Sequence, residues 1–445
     1  MPVTAEQLPD GTFRFHGRSF KQTEDKNAAL APFHKQIYYY GLKLSVLPVK
    51  EEEEGMNQQI GNARFVHNLY FNERNEYYKA NKRILSVTEY KKSHLPERKK
   101  EYPFLKKSDK FALENALECL DQAYTNFYEG RAGFPKPWKK NRLGGDRYTT
   151  KETNGNIDLV IEDDIPRIKL PKVGHVRFIM PKGQTLATLK PKGVSILKAT
   201  IIRTRDGKFE ISLLMQAVID EIKPVVEMDY SDIVGMDLGL HDFCILGDGI
   251  DHAKIANPRW IKLHEKRLRR FKKSLSRKQY DKKTHTGSRN WEKARKRVAK
   301  EEKKTANQRH DFHHKLSLAL AETYSVVVCE DLNVKGMMKN HRLAKSVASV
   351  GWSSFLTLLR YKLERRGKHL VKVSRWFASS QTCHVCGYKN PEVKDLSVRE
   401  WDCPSCGTHL DRDGNAAFTI KAEGIRVLLE NGYVVYNGQT TGHAA

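Results

Sequence analysis

The chain has 445 residues, room for several domains and a large core. Its 79 Lys and Arg against 53 Asp and Glu leave a formal net charge of +26, an excess that points to a polyanionic partner, nucleic acid by default. No apolar run approaches the roughly 18 residues of a membrane span, the first thirty residues lack a secretory apolar core, and no membrane partner is expected.

Residues 1–33 are polar with weak periodicity and read as a loosely attached, poorly ordered extension. The alternation in HKQIYYYGLKLSVLPV, from His34 to Val49, predicts a strand closed by Pro48. The acidic run Glu51–Glu54 suits a helix N-terminus better than a metal. From Met56 to about Glu129 the pattern turns helical, with Val66, Leu69, Tyr70, Leu113, Leu117 and Leu120 in apolar stripes. This predicts a helical hairpin bundle whose polar faces hold Arg64, Asn68, Arg74, Gln122 and Asn126 within reach of nucleic acid.

At 130–140, GRAGFPKPWKK ends the helices and interleaves Phe134 and Trp138 with Lys136 and Lys139. It is either a stacking and phosphate-binding loop or a plain linker. Short β runs follow from 157 to 228, including a hairpin turning at Asp206 and Gly207. With the strand near residue 40 they make a small barrel, and the helices become an insertion in it.

In DIVGMDLGLHDFCILGDG an apolar strand carries Asp237 just ahead of Gly239, which allows a ligand or metal to approach closely. Residues 262–304 form a basic helical segment with an apolar seam. On its other face Lys266, Arg267, Arg270, Lys273 and Arg277 are expected to track phosphates. Residues 307–323 read as a second helix, carrying His310, His313 and His314. SVVVCED then ends a buried strand at Glu330, where an ionised acid needs a balancing charge such as a metal.

Cys383/Cys386 and Cys403/Cys406 are two C-x2-C pairs separated by sixteen residues, each followed by glycine (Gly387, Gly407). Four thiolates on two tight turns fit one structural, tetrahedral Zn2+. Cys119, Cys244 and Cys329 stand singly in apolar surroundings, as free thiols do in a reducing cytoplasm. Directly behind the ribbon, DRDGNAAFTI places Asp413 at a helix start. Asp237, Glu330 and Asp413 are thus three acids at the ends of core elements, the way a ribonuclease-H-like nuclease assembles a site for two Mg2+ or Mn2+ ions. Asp242, Asp331 and Asp411 are neighbours that meet the same description.

The stretches GMDLGLHDF, NQRHDFHHKLS, EDLNVKGM, SSQTCHVCG, REWDCPSCGTHLDRDGNAA and GFPKPWKK resemble the TnpB family. These are transposon-encoded, RNA-guided RuvC nucleases related to compact type V CRISPR effectors. The resemblance spans about residues 36–425 and implies an α+β multidomain chain. A β-barrel wedge domain (34–54 and 132–228) would carry a helical recognition domain (55–131). A RuvC nuclease domain (229–381 and 409–430) would hold a zinc ribbon (382–408), with a C-terminal tail at 431–445. It further implies that Asp237, Glu330 and Asp413 are the catalytic acids, with Asp411 behind them, and that residues 332–350 gate the site. The implied partners are a guide RNA (omega RNA) made from the transposon end and a double-stranded DNA target beside a short motif. One protein copy per ribonucleoprotein is expected, with a dimer left open, in a prokaryotic cytoplasm at the nucleoid. An RNA-guided binder without cleavage and a ribonuclease-H-like transposase are the alternatives, although no helix-turn-helix is legible. Gly414 departs from the bulkier residue usual in D-x-N-A-A, and is expected to loosen the turn after Asp413.

Overall fold

A computed structural model describes residues 3–16, 23–140, 146–281, 286–395 and 397–436. The chain divides into two units, Met1–Glu221 and Ile222–Ala445. The division falls ahead of the expected 228/229 boundary because β10 (Glu227–Asp229) pairs in parallel with β20 (Val434–Tyr436) near the far end of the second unit. The expected C-terminal tail therefore begins with a strand, and residues 437–445 lie outside the described residues.

The first unit opens with a hairpin, β1 (Thr4–Gln7) and β2 (Phe13–His16), then α1 (Thr23–Leu30). This differs from the expected loose extension. Helix α1 is fastened to β3 (Lys35–Val46) by the Ile37 amide donating to Asn27 Oδ1 at 2.7 Å, and Leu30 is fully buried. A polar composition hid a segment held by scattered side-chain contacts, among them Thr23 to Tyr39 at 2.9 Å and Lys26 to Gln216 at 3.4 Å. Strand β3 pairs antiparallel along its full length with β9 (Phe209–Asp220) in a sheet of order β3-β9-β8-β4.

Between these strands, Pro48 ends β3 and α2 (Lys50–Asn81) begins, with Glu52 accepting the Val49 amide at 2.9 Å. The acidic run thus serves the helix N-terminus. Short helices α3 (Val87–Glu89) and α4 (Leu95–Glu101) lead to α5 (Lys110–Tyr128), capped by Asp109. Tyr70 of α2 and Leu113, Leu117 and Leu120 of α5 share one buried cluster, so the helical stripes meet as their spacing predicts. The chain continues through β4 (Arg147–Lys151), β5 (Asp158–Glu162), β6 (Ile165–Leu170) and β7 (Gly174–Arg177). One-turn α6 (Leu186–Leu189) and β8 (Ser195–Arg203) complete the unit. Strands β5-β6-β7 form a second sheet, tied to the first by the Val46–Phe178 bridge.

The second unit is built on a five-stranded sheet of order β13-β12-β11-β16-β17. Strands β11 (Ile233–Asp237), β12 (Asp242–Gly247) and β13 (His252–Ala256) form an antiparallel meander. Helix α7 (Trp260–Ser276), a short hairpin of β14 (Tyr280–Asp281) and β15 (Thr286–Gly287), and helix α8 (Arg289–Thr323) follow. The break lies between 276 and 289, not near 305 as expected, and α8 runs unbroken for 35 residues. No Gly or Pro interrupts it, whereas Ser288 caps its start by accepting the Trp291 amide at 3.2 Å.

Strand β16 (Val326–Glu330) then joins β11 in parallel. Helices α9 (Val334–Met337), α10 (Ala344–Val350) and α11 (Trp352–Glu364) lead to β17 (His369–Val373), parallel to β16. The segment carrying the four cysteines holds the hairpin β18 (Glu400–Asp402) and β19 (His409–Asp411) and runs straight into α12 (Arg412–Glu430). Both faces of the central strands are covered, which is why β11 and β16 read as unbroken apolar runs. Val234, Met236, Val327 and Cys329 face Phe355 and Leu359, while Ile233, Val326 and Val328 face Ile420 and Leu428. Among the described residues, no helix is long and apolar enough to cross a membrane.

Helix α12 approaches β11 so closely that a Cβ on Gly235 would overlap the Ala417 carbonyl oxygen and lie 2.7 Å from the Lys421 nitrogen. Gly235→Ala must push the helix off the strand. Thermal melts are expected to show a loss of about 1–3 kcal/mol; an unchanged melting temperature would contradict this packing.

Candidate active site and metal centre

Register alone brings two of the acids together. Met236 of β11 stands opposite Cys329 of β16, so Asp237 and Glu330 end neighbouring parallel strands. Asp413 lies in the first turn of α12, the helix that crosses β11. Burial, reinforced by the charges of Glu330 and Asp413, pushes the Asp237 carboxyl up to about 7. Glu330 Oε1 accepts the Ser379 hydroxyl at 2.5 Å, and Asp413 Oδ2 faces Arg399 Nη1 at 3.4 Å.

The neighbouring acids are occupied otherwise. Asp331 is clamped by Lys372 (2.8 Å) and Arg375 (2.6 Å), which hold its carboxyl below the usual range. Asp411 caps α12 through the Gly414 amide (2.7 Å) and pairs with Lys254 (2.8 Å). Asp242 faces His241 at 3.1 Å. Gly414 does not loosen its turn. A Cβ there would sit 2.9 Å from the His252 ring, so the small residue lets β13 close against the helix start.

The four cysteine sulfurs all lie within 4.8 Å of one another, the one such group of metal-ligating side chains among the described residues. The three carboxylates are not grouped so tightly. Cys383 Sγ and Cys406 Sγ are 3.8 Å apart, and Cys386 Sγ and Cys403 Sγ 3.5 Å. Sulfurs bound to Zn2+ at tetrahedral angles stand about 3.8 Å apart. The donor set and its spacing therefore fit zinc.

Both knuckles are built alike. The amides of Gly387 and Gly407, at φ +73° and +72°, return to the carbonyls of Cys383 (2.9 Å) and Cys403 (2.8 Å). Asn415 joins the ribbon to α12, donating to the Thr382 carbonyl (2.7 Å) and accepting the His384 amide (2.9 Å).

The expected nucleic-acid contacts divide. Trp138 is half-buried, stacked on His67 at 3.9 Å, and its backbone exchanges two hydrogen bonds with Asn68 (2.7 and 3.0 Å). Both side chains are engaged within the protein, so neither offers a free contact. Arg64 is half-buried beside Asp146, and Arg74 is buried against Asp121 (2.7 Å) and the Tyr124 ring. Phe134 is exposed but wedged against Tyr124 and Phe127, while Lys136 and Lys139 point outward. On α7, Lys266, Arg267, Arg270 and Lys273 are exposed, as is Arg277 at its C-cap, and Arg267 reaches Glu301 at 3.3 Å. His313 is buried, bonds the Val350 carbonyl at 2.9 Å and is pushed down to about 4, a packed neutral ring. Ser379, Arg399 and Asn415 lie in stretches that carry the family resemblance, but the sequence assigned them no role. Nothing in a single chain marks a serine or asparagine whose partner lies 31 to 49 residues away.

Two measurements follow from this geometry. Between its ordinary value of 3.8 and about 7, Asp237 keeps in the folded state a proton that the unfolded state has lost. Stability of the metal-free protein therefore falls as pH rises through that window. Asp237→Asn is expected to gain stability over the parent across it, on the order of 4 kcal/mol by pH 8; parallel melting curves at pH 5 and pH 8 would refute this. Cys386→Ser is expected to lose the zinc that elemental analysis finds in the freshly purified parent, and to unfold the ribbon core around Trp401. Metal-free parent protein would overturn it.

Three family descriptions match the chain: "Helix-turn-helix domain" at residues 41–83, "Probable transposase" at 222–341 and "Cas12f1-like, TNB domain" at 352–420. Residues 41–83 form the end of β3 and the single helix α2, so no helix-turn-helix exists there. Two relatives are described as "Putative RNA-guided DNA endonuclease". One, from Streptomyces pristinaespiralis, is 31% identical over 86% of this chain and 89% of its own length. The other, InsQ of Escherichia coli (strain K12), is 27% identical over 87% and 92%. The protein of a Cas12f1-sgRNA-target DNA complex shares the mixed α+β fold, with a TM-score of 0.55 at 13% identity over 86% of this chain and 99% of that one. The similarity runs through both units and nearly the whole length of the Streptomyces relative, and this chain belongs to the TnpB family of transposon-encoded proteins.

Proposed function

We propose that the protein is an RNA-guided DNA endonuclease that hydrolyses double-stranded DNA at Asp237, Glu330 and Asp413. The observation that carries this is the convergence of three acids from distant parts of the chain: Asp237 and Glu330 end neighbouring strands, Asp413 opens the helix that crosses them, and burial together with the charges of Glu330 and Asp413 raises Asp237 to about 7. Such perturbed carboxyls concentrate at functional sites. The five-stranded sheet, with its antiparallel meander and parallel partner strands, is read as ribonuclease-H-like, of the RuvC kind. The two bridged sheets of the first unit are read as the wedge barrel, and the α2–α5 bundle as the recognition domain. A net charge of +26 suits two nucleic-acid partners. The Cas12f1 relative in fold was solved with a guide RNA and target DNA, and the same two partners are assigned here, around one protein copy.

Three carboxylates are hard oxygen donors and fit Mg2+ or Mn2+. When bound, two such ions supply an activated water and offset charge on the leaving oxygen. The protein's own residues set the rest. Asp237 must give up its proton before it can ligate. Ser379 fixes the orientation of Glu330 through its hydroxyl, and Arg399 balances Asp413. Target choice is delegated to base pairing, since the chain offers phosphate-tracking cations but no array of base-edge readers.

One rival has a specific footing, because the family description over residues 222–341 is "Probable transposase". A strand-transfer enzyme also uses three acids. The test is to express the protein with its flanking transposon end, sequence the copurifying RNA, and assay duplex cleavage in Mg2+. Asp413→Ala is expected to abolish cutting, at least about a thousandfold, with RNA and DNA binding retained. RNase-treated protein is expected to be inert on duplex DNA. Sequence-specific cutting without RNA, or joining of transposon ends, would overturn the guided reading.

A further inference from the structure

Five of the six tryptophans are engaged within the protein. Trp260, Trp352 and Trp401 are buried, Trp138 stacks on His67 and Trp291 on Tyr280. Trp376 is 88 % exposed. Leaving an indole in water forfeits the burial that makes tryptophan useful in a core.

Its surroundings are not those of a slack loop. Val373, the last residue of β17, stands opposite Glu330 in the ladder, and its carbonyl accepts the Asp331 amide at 3.0 Å. The Phe377 amide closes a turn onto the Ser374 carbonyl at 3.0 Å, with Arg375 and Trp376 at its centre. Phe377 packs into the core beside Val373 and Ile420. Two residues on, Ser379 returns to Glu330 with its hydroxyl at 2.5 Å, and its carbonyl is held by Thr419 of α12 at 2.8 Å. The segment thus leaves Glu330 and comes back to it, with the indole displayed at its tip. Lys372 and Arg375 share the single carboxylate of Asp331, which leaves a net positive charge at the base of the turn.

We propose that Trp376 is a stacking platform that binds one unpaired nucleobase of the DNA strand whose phosphate is cut at the carboxylates. The inference rests on the endonuclease reading and adds a base subsite to it. An indole face accepts any base, so the platform suits an enzyme whose target sequence is set elsewhere. A base inside a duplex already has both faces covered, so the strand must arrive locally single-stranded. The flanking positive charge matches the phosphates on either side of such a base.

The experiment uses the assembled ribonucleoprotein and single-stranded oligonucleotides carrying one abasic site, moved stepwise across the cut position. With the parent, one abasic position is expected to slow single-turnover cleavage about tenfold. Trp376→Ala is expected to slow the intact substrate by a similar factor and to show no further abasic penalty at that position. Trp376→Phe is expected to restore most of the rate. An abasic penalty that persists in Trp376→Ala, or an alanine variant that cuts at the parental rate, would overturn the proposal. Binding of the same oligonucleotides in EDTA separates this from the parent reading. If the parent cuts nothing, the endonuclease reading fails, and equal affinity of parent and Trp376→Ala for intact and abasic strands then rejects the stacking site as well.

Discussion

The contact between α12 and the central strands leaves no room for a side chain at Gly235, and that close approach sets the position of Asp413. The helix is pinned a second time by Lys421, a fully buried lysine. Its ammonium donates to the Tyr230 carbonyl at 2.8 Å and to the Asp248 carbonyl, and lies over the Tyr230 ring at 3.4 Å. Burial pushes it down to about 8, and its carbonyl partners make the buried cation tolerable. Between a missing Cβ at one strand and a tethered amine two turns beyond the acid, α12 has one seating. That seating carries Asp413 to the end of the sheet where β11 and β16 deliver Asp237 and Glu330.

Charge distribution around that point separates ligand-like acids from structural ones. Asp331 and Asp411 are each neutralised by lysine or arginine and show lowered pKa values. Asp237 is pushed the other way, first by its burial and then by the carboxylates of Glu330 and Asp413. The proposed site therefore gathers three acids with Arg399 at Asp413 as a cationic neighbour, and its chemistry suits a small hard cation. The four-cysteine cluster is coupled through Asn415 to the helix start that carries Asp413.

Much of this was legible because it is local. Paired C-x2-C turns with glycines, acids that end apolar runs, and a hairpin at Asp206-Gly207 are written in short stretches, and those stretches also carry the family resemblance. What failed was non-local. Trp138 looked free among lysines, yet its partner His67 lies 71 residues earlier, on α2. Arg74 sits on the polar side of a helical wheel and is still buried, because Asp121 of α5 supplies the opposite charge. The break between α7 and α8 was misplaced because a mixed polar stretch, SRKQYDKKTHTGS, carries less apparent punctuation than it enforces. Gly414 looked like a weakness until His252, from a different strand, was seen to occupy the space.

The seating of α12 also bears on when the proposed site is complete. Asp237 and Glu330 sit on strands made in the first half of the second unit, whereas Asp413 and the helix covering Gly235 are translated near its end, behind the cysteine pairs. Until that helix emerges and docks, two of the acids are in place without the third, and one face of the sheet is uncovered. A nascent chain, or one clipped ahead of the ribbon, lacks a complete set of carboxylates. With the three acids as the proposed site, the order of the elements along the chain completes that site only once nearly all of the chain has been made.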